Sequence, residues 1–556
     1  MASVPGVLPR LAVLTGAECI LNISLFPRIL PGKPITELFI LLGTINISLW
    51  AFYRIFIYPY WFSPWRHYAR PKGGLPLLYH GTAISKKPSG EAFRKFINEV
   101  PNDGIIRFPS FFNLDWLLLT SPASLSEVLV HKSYDYQKPG PVRQFLSLIL
   151  GEGLVVVEDE EHKFQRKHVS PAFHFRHIKN LYPIFWSKAV EMSQCIAAEI
   201  QLDPKPKSGE ELKSAQGVVE INHWSNRATL DIIGIAALGK DFCALKNPHG
   251  ELIQTYEEIL EPTTEKGVFF ALHILLGRRF ISFLPWSLND RLKVSTGKLR
   301  KYCLDLIREK KQAIKIQGEE DVDILSLLMK SNNFSDENLV DQLLTFLAAG
   351  HETTSSAFTW ATYLIAKHPD IQTRLRDEIR QSLPPPSAPL NSDIDIASIL
   401  ESLPLLNGVC NEVLRLYPTV PVTLRTAVRP TLVGTVHIPK GSRIYISPWA
   451  INRSPKIWGP EAELFSPGRW IDAETGKPNN TGGVTSNYCN MTFLHGPRSC
   501  IGERFAKSEL RALIAVFVGM FDLEMADPNE IPEPNGAITT KPKNGMNLRL
   551  KVVEGW

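Results

Sequence analysis

Cysteine is scarce in this chain, and the few present stand apart. The seven in 556 residues (Cys19, Cys195, Cys243, Cys303, Cys410, Cys489 and Cys500) include no Cys-x-x-Cys pair. That spacing argues against a disulfide framework and a zinc ligand set, and it fits a reducing compartment. Excess charge is scarce too. The 61 Lys and Arg against 56 Asp and Glu leave a net +5, too little at this size to argue for nucleic acid. No internal repeat is visible. Composition is ordinary at 44% hydrophobic and 21% charged, so the chain is globular rather than disordered. Its length exceeds the usual single core, yet large enzymes keep one catalytic body at such lengths.

Near the N-terminus no single run quite reaches the ~20 apolar residues that cross a bilayer. Leu11 to Phe26 is one run, closed by Pro27 and Arg28; Leu38 to Tyr53 is a second, after Pro31, Gly32, Lys33 and Pro34. The flanks of the second compensate: Trp50, Tyr53, Tyr58, Tyr60 and Trp61 suit the interfacial belt, and Arg54 can snorkel. We expect one spanning helix at about Leu38–Ile57 within an anchor of residues 1–60. Whether Leu11–Phe26 also inserts stays open, but a cleaved signal is disfavoured because a second hydrophobic run follows. Arg66, Arg70 and Lys72 then put the body in the cytoplasm by the positive-inside rule. In that topology only the Asn22 sequon could be lumenal. Pro59, Pro64, Pro71, Gly73, Gly74 and Pro76 form a stiff, broken stretch, read as a hinge over 61–76 ahead of a body at 77–556.

What is present in abundance is a dense pattern near the C-terminus: Phe493-Leu494-His495-Gly496-Pro497-Arg498-Ser499-Cys500-Ile501-Gly502. A lone cysteine is usually an inert core residue. Here it closes a Gly-Pro turn and opens an apolar, helix-forming run, where helix dipole and backbone N–H groups stabilise a thiolate. Gly496 can take a positive φ, and Gly502 leaves room for a flat ring. Arg498 can reach an anionic group. The ten residues resemble, without departure, the haem-binding signature of the cytochrome P450 family, Phe-x-x-Gly-x-Arg-x-Cys-x-Gly. The resemblance implies haem b with Cys500 as axial iron ligand, and Phe493, Arg498 and Gly502 as haem contacts. A thiolate ligand favours O–O cleavage.

Upstream, Ser335 is a good N-cap for a helix that runs to Lys367, with Pro369 opening the next. Inside it stands Ala349-Gly350-His351-Glu352-Thr353-Thr354, although a mid-helix Gly costs about 1 kcal/mol against Ala. A packing notch beside a solvated Glu352 is the plain account. The segment also resembles the family's Ala-Gly-x-Glu-Thr-Thr motif in every position. That implies an oxygen groove at Ala349 and Gly350, with Thr353 and Glu352 as the catalytic pair that feeds protons.

Glu412 and Arg415 share a helix face at i and i+3. With Phe465-Ser466-Pro467-Gly468-Arg469-Trp470 they resemble the family's ExxR helix and its Phe-x-Pro-x-Arg partner, which implies that Glu412, Arg415 and Arg469 form a buried structural network. Arg425 matches the propionate-binding arginine. Glu161 to Lys167 resembles the family's Trp-x-x-x-Arg helix, with Arg166 kept and His162 in place of tryptophan. By position, Phe346, Ala349, Val422 within Thr419–Leu424, and Ile538 within Ala537–Thr539 match substrate segments. Lys163, Lys167, Arg504 and Lys507 suggest a basic face for an acidic electron donor. Val433 to Ile446 alternates around Pro439-Lys440-Gly441, a hairpin signal, and Leu548 to Val553 alternates after Asn544-Gly545.

The resemblance covers roughly Pro59 to the C-terminus. It implies a mainly α fold with a small β-rich part behind an N-terminal transmembrane helix. It further implies a microsomal monooxygenase, single-pass in the endoplasmic reticulum with a cytosolic catalytic domain. Such an enzyme takes electrons from NADPH through NADPH–cytochrome P450 reductase and oxidises a lipophilic small molecule. The extended N-terminus is similar to fungal members of secondary metabolism, an analogy of fold only. A haem–thiolate isomerase or dehydratase, working without a reductase, would not need Glu352 and Thr353. A non-enzymatic haem sensor or carrier is the other rival, separated from an enzyme by NADPH consumption.

Overall fold

The computed structural model describes residues 4–25, 34–74, 77–202, 216–260, 263–276, 281, 283, 286–317, 323–388, 394–536 and 538–556. The end of the first apolar run and its connector at 26–33, Pro76 and Ala537 lie outside them. The chain divides into two units: Met1–Lys86 with Glu91–Gln137 and Thr423–Ser447, and Lys87–Gly90 with Lys138–Val422 and Pro448–Trp556.

In the first unit both N-terminal runs are helical, at Val4–Leu25 and Ile35–Phe52. They pack together. Asn46 Nδ2 donates to Thr15 Oγ1 (3.0 Å) and Glu18 Oε2 (2.6 Å), so the second run's polar interruption meets polar atoms on the first. Ile35–Phe52 continues through wide i→i+5 turns at Tyr53–Phe62. The continuous stretch Ile35–Phe62 spans 28 residues at mean hydropathy 1.7, and among the described residues it alone is long and apolar enough to cross a membrane. It extends beyond the expected Leu38–Ile57. Pro59, expected in the broken stretch, lies inside it, because a wide turn tolerates the missing N–H better than a regular α-turn.

The residues that follow are clamped to a sheet. Arg107, buried, pairs with Asp115 through Nε (2.7 Å) and donates from Nη2 to Pro59 O (2.9 Å) and from Nη1 to Trp65 O (3.3 Å). Ser63 Oγ donates to Asp115 Oδ2 (2.7 Å), and Asn113 Nδ2 to Ile55 O (2.8 Å). Five strands make the sheet in the order Ile105–Pro109, Asp115–Leu119, Arg443–Ile446, Thr423–Ala427, Tyr136–Gln137. The hairpin expected around Pro439–Gly441 falls elsewhere. Thr431–Val433 pairs with Val436–Ile438 across Gly434, whose φ is 56°. Arg443–Ile446 instead crosses to Thr423–Ala427 and runs parallel to Asp115–Leu119. The 439–441 turn exists, with Ser442 N–H on Pro439 O at 3.1 Å, but it joins two sheets.

The second unit is mainly helical. At its core lies Asp336–Ala366, capped by Ser335 Oγ accepting from Asn338 N–H at 3.2 Å. Trp360 and Phe358 are fully buried on it, and Phe358 meets Phe517 edge-on at 5.3 Å. Phe517 belongs to the helix Glu503–Met520. The expected C-terminal strand forms at Asn547–Val552, between Phe521–Met525 and Gln216–Glu220. Gly545, with φ of 78°, opens it; a Cβ there would sit 2.7 Å from Glu220 Oε1.

Candidate functional site

The cysteine loop is a tight backbone fold. Gly496 has φ of 80° and Leu494 of 57°. Cys500 N–H donates to Phe493 O (2.9 Å) and Ser499 N–H to Gly496 O (3.0 Å). The next helix begins at Glu503 with Gly502 as its N-cap. Cys500 is exposed, yet the crowding protein desolvates its sulfur and pushes the thiol up to about 11, against the pull of the Gly502 N–H and the Arg166 charge. At Gly502 an added Cβ would meet Phe173 at 3.9 Å and the Cys500 sulfur at 4.0 Å, ordinary van der Waals contacts, so the glycine lies directly beside the sulfur. A coordinated cation reverses the protonation, because a metal-bound thiol gives up its proton.

The arginines expected to contact haem also make contacts within the protein. Arg166, on the helix Asp159–Val169, donates to Ser499 O (2.7 Å) and Ser499 Oγ (3.4 Å). It therefore braces the residue before the cysteine. Arg498 Nη2 lies 2.6 Å from Glu158 Oε2, both side chains almost buried. The contact is ionic rather than a well-aligned hydrogen bond, and Glu158 Oε1 also accepts from Lys138 N–H at 2.8 Å. Sequence reading missed Glu158, which carries no motif; its position just ahead of a helix with Asp159, Glu160 and Glu161 in the first turn was the available signal. His162 is buried rather than a surface residue. Arg425 lies in the first unit on the strand Thr423–Ala427, buried, with Nη1 donating to Thr423 Oγ1 (3.0 Å) and Leu424 O (2.8 Å). A single soft, exposed sulfur with a glycine beside it and the Arg166 and Arg498 cations on its loop fit an anionic iron porphyrin.

On the long helix Ala349 is exposed in the middle of an apolar span. Thr353 Oγ1 donates to Ala349 O at 2.8 Å, the i−4 back-bond that bends helices. Gly350 departs from the groove expected of it. A Cβ there would meet Ile233 Cδ1 at 2.7 Å, so the glycine admits the neighbouring helix Ile221–Ile233. Phe346, expected toward substrate, is buried with its ring edge-on to Phe173 at 5.5 Å. Val422 is half-buried and Ile538 is exposed. Glu352 is not solvated: Oε1 accepts from Thr539 Oγ1 (3.1 Å) and pairs with Lys541 Nζ (3.0 Å). Neither partner was legible as such. His351 is buried, with Nδ1 2.7 Å from Leu347 O, and burial holds its pKa below the usual value.

Glu412, Arg415 and Arg469 form one buried network. Glu412 accepts from Arg415 Nε and Nη2 (2.8 Å each), Arg469 Nε (3.0 Å), Ser466 N–H (3.0 Å) and Trp470 Nε1 (2.8 Å). Burial raises its pKa, but the Arg415 hydrogen bonds and the two guanidinium charges outweigh it and leave the carboxyl below the usual range. Arg415 Nη1 also donates to Asn452 O and Ala462 O (2.6 Å each). Asn452 in turn accepts from Met491 N–H (2.8 Å) and donates to Thr492 Oγ1 (2.9 Å), which carries the network to the start of the cysteine loop. Of the expected basic face, Lys163 pairs with Glu160 and Lys507 with Glu503, while Lys167 and Arg504 are exposed.

A mainly helical body with an N-terminal membrane-capable helix and a cysteine loop of this geometry defines a haem–thiolate protein. The family model Cytochrome P450 matches residues 71–548, and the chain belongs to that family. It is similar to the cytochrome P450 monooxygenase sphH of Aspergillus fumigatus, 42% identical over 94% of this chain and 95% of that one. It is also similar to the cytochrome P450 monooxygenase ALT8 of Alternaria alternata, 36% identical over 92% and 94%. The cytochrome P450 monooxygenase FUM15 of Gibberella moniliformis is 35% identical over 89% and 90%. The chain is a cytochrome P450 monooxygenase, an oxygen-incorporating oxidoreductase of a haem-dependent family.

Proposed function

We propose that this monooxygenase inserts one oxygen atom of O₂ into a lipophilic small molecule of fungal secondary metabolism, with electrons from NADPH delivered by NADPH–cytochrome P450 reductase. Two electrons and two protons turn the second oxygen atom into water. The observation that carries the reading is the tight loop that presents an exposed Cys500 beside Gly502, with Cys500 N–H on Phe493 O at 2.9 Å and Ser499 N–H on Gly496 O at 3.0 Å. Bound haem supplies oxygen activation, which thiolate ligation favours. The protein's own residues do the rest. Cys500 would bind the haem iron through its thiolate, and Arg166 holds the loop by bracing Ser499. Arg498 and His162 would hold haem carboxylates, with Glu158 balancing Arg498, and Arg425 is a further candidate for the same role. Phe493 accepts the Cys500 N–H through its carbonyl and fixes the loop. Thr353 and Glu352 move protons, the hydroxyl by exchanging its bond to Ala349 O for one to the oxygen side of the site. Ala349, Val422 and Ile538 contact substrate, with Phe346 supporting from behind.

In this reading residues 1–60 anchor the enzyme in the endoplasmic reticulum, 61–76 set the body against the bilayer, and 77–556 catalyse in the cytosol. Lys167 and Arg504 receive the acidic electron donor. The test is spectroscopic. Reduced, CO-bound protein is expected to give the red-shifted Soret band of thiolate ligation, and Cys500→Ala to lose both that band and turnover. A wild-type spectrum typical of histidine ligation overturns the assignment.

A further inference from the structure

Both contacts to Glu352 fall on the same oxygen. Thr539 Oγ1 donates to Oε1 at 3.1 Å and Lys541 Nζ pairs with Oε1 at 3.0 Å. Among the described residues no hydrogen bond reaches Oε2, and the closest approach of Lys541 Nζ is to Oε1. The two partners sit on a short segment that is itself fixed to the long helix. Thr540 O accepts from Trp360 Nε1 (2.9 Å) and from Ser356 Oγ. Thr540 N–H donates to Thr419 O (2.9 Å) and Thr540 Oγ1 to Pro418 O (3.1 Å). Gly536, with φ of 109°, turns the chain so tightly that a Cβ would sit 2.0 Å from Thr539 O. Between these ties Ile538 is exposed. Side chains of Lys541 and Glu352 are each only 12% exposed, so water screens the pair weakly.

We propose that Lys541, assisted by Thr539, is the positioning residue for Glu352: it pins Oε1 and so aims Oε2 as the oxygen that exchanges protons. This rests on the assignment of Glu352 to proton delivery and names what orients it. A carboxylate without the lysine turns freely, and both oxygens then compete for water. Misplacing a proton donor by about 1 Å costs on the order of a hundredfold. The lysine also ties the acid to the segment that carries Ile538, so the apolar wall and the proton-handling group are one rigid piece.

The test uses the full membrane-bound holoenzyme with reductase and no added substrate. Electrons from NADPH then end in one of two ways. One NADPH, one proton and O₂ give hydrogen peroxide; two NADPH, two protons and O₂ give two waters, which needs proton delivery at the distal oxygen. Lys541→Gln is expected to raise the ratio of peroxide to water about tenfold, and Lys541→Arg to restore it to within about a factor of two, since guanidinium keeps the charge and a donor. Hydrogen–deuterium exchange supplies a second readout: amides of 538–541 exchange faster in Lys541→Gln and in Glu352→Gln, and no faster in the double variant. If Glu352→Gln raises peroxide while Lys541→Gln leaves the ratio unchanged, the positioning role is overturned and the relay stands. If Lys541→Arg behaves like Lys541→Gln with wild-type haem content, the positioning role is likewise overturned. If neither Glu352→Gln nor Lys541→Gln moves the ratio, the assignment of Glu352 itself falls.

Discussion

Two glutamates in the second unit meet their cations in opposite ways. Glu412 is fully buried, and five N–H donors occupy both of its oxygens. Glu352 stays partly open, with both contacts on one oxygen. A third, Glu509, is fully buried with neither carboxyl oxygen hydrogen-bonded among the described residues, and burial pushes its carboxyl well above the usual range. Burial alone therefore does not separate structural from working carboxylates. In the proposed reading saturation marks the first kind: a carboxylate with both oxygens fully engaged is a building element, and only one with an oxygen left over is available to pass protons.

The strongest way to break the comparison is to empty the saturated site. Glu412→Ala leaves Arg415 buried without its charge partner, and breaking such a pair costs about 3–5 kcal/mol. Urea unfolding and haem retention should both register it. The same carboxylate gives a pH signature. Its folded pKa is depressed, so its stability is present above the ordinary glutamate value of about 4.3 and is lost as pH falls toward the folded value. Glu412→Gln should flatten that acid limb; an unchanged limb would show that other groups govern it.

A smaller effect is expected at the open site. Thr353→Ala should keep haem and lose less than about 1 kcal/mol of stability, because it removes a back-bond to Ala349 O and no buried charge. Electrons reaching product, measured as product per NADPH, should fall roughly tenfold to a hundredfold, at or below the low end of general acid–base contributions. Unchanged coupling would mean that saturation is a poor guide to function here.

The smallest effect sharpens one residue. Gly350→Ala gains about 1 kcal/mol of helix propensity and loses about 1–3 kcal/mol by pressing on Ile233. Melting temperature should drop slightly while the peroxide-to-water ratio holds. A raised ratio at unchanged stability would return Gly350 to the oxygen groove that its motif suggests.

Motifs whose parts are local were legible. The cysteine loop, the Ser335 cap, the Pro369 start and the i,i+3 pair of Glu412 and Arg415 all sit within one turn or one helix face. What escaped were contacts between distant segments that periodicity does not encode. Glu158 meets Arg498, Lys541 meets Glu352, and Arg166 braces Ser499 instead of standing free. Gly350 carried a functional motif and a packing need at once, and only the position of Ile233 decides which one its missing side chain serves. The strand after Gly441 escaped for a related reason. Alternation predicts a strand but not its partner, and Arg443–Ile446 pairs with Thr423–Ala427 and Asp115–Leu119 rather than with its neighbour.

The Arg107–Asp115 clamp makes the membrane-capable helix Ile35–Phe62 and the five-stranded sheet a single lever. The carbonyls of Pro59 and Trp65 and the Ser63 hydroxyl are bolted to a buried ion pair, so the joint between them has no free swivel. Helices answer bilayer thickness by tilting. A tilt of Ile35–Phe62 is therefore delivered to the sheet as rotation instead of being absorbed in a slack linker. Were Ile35–Phe62 to span a bilayer, lipid composition would become a mechanical input to the first unit, because a thicker or thinner bilayer would reset the helix tilt and, through the clamp, the sheet's angle.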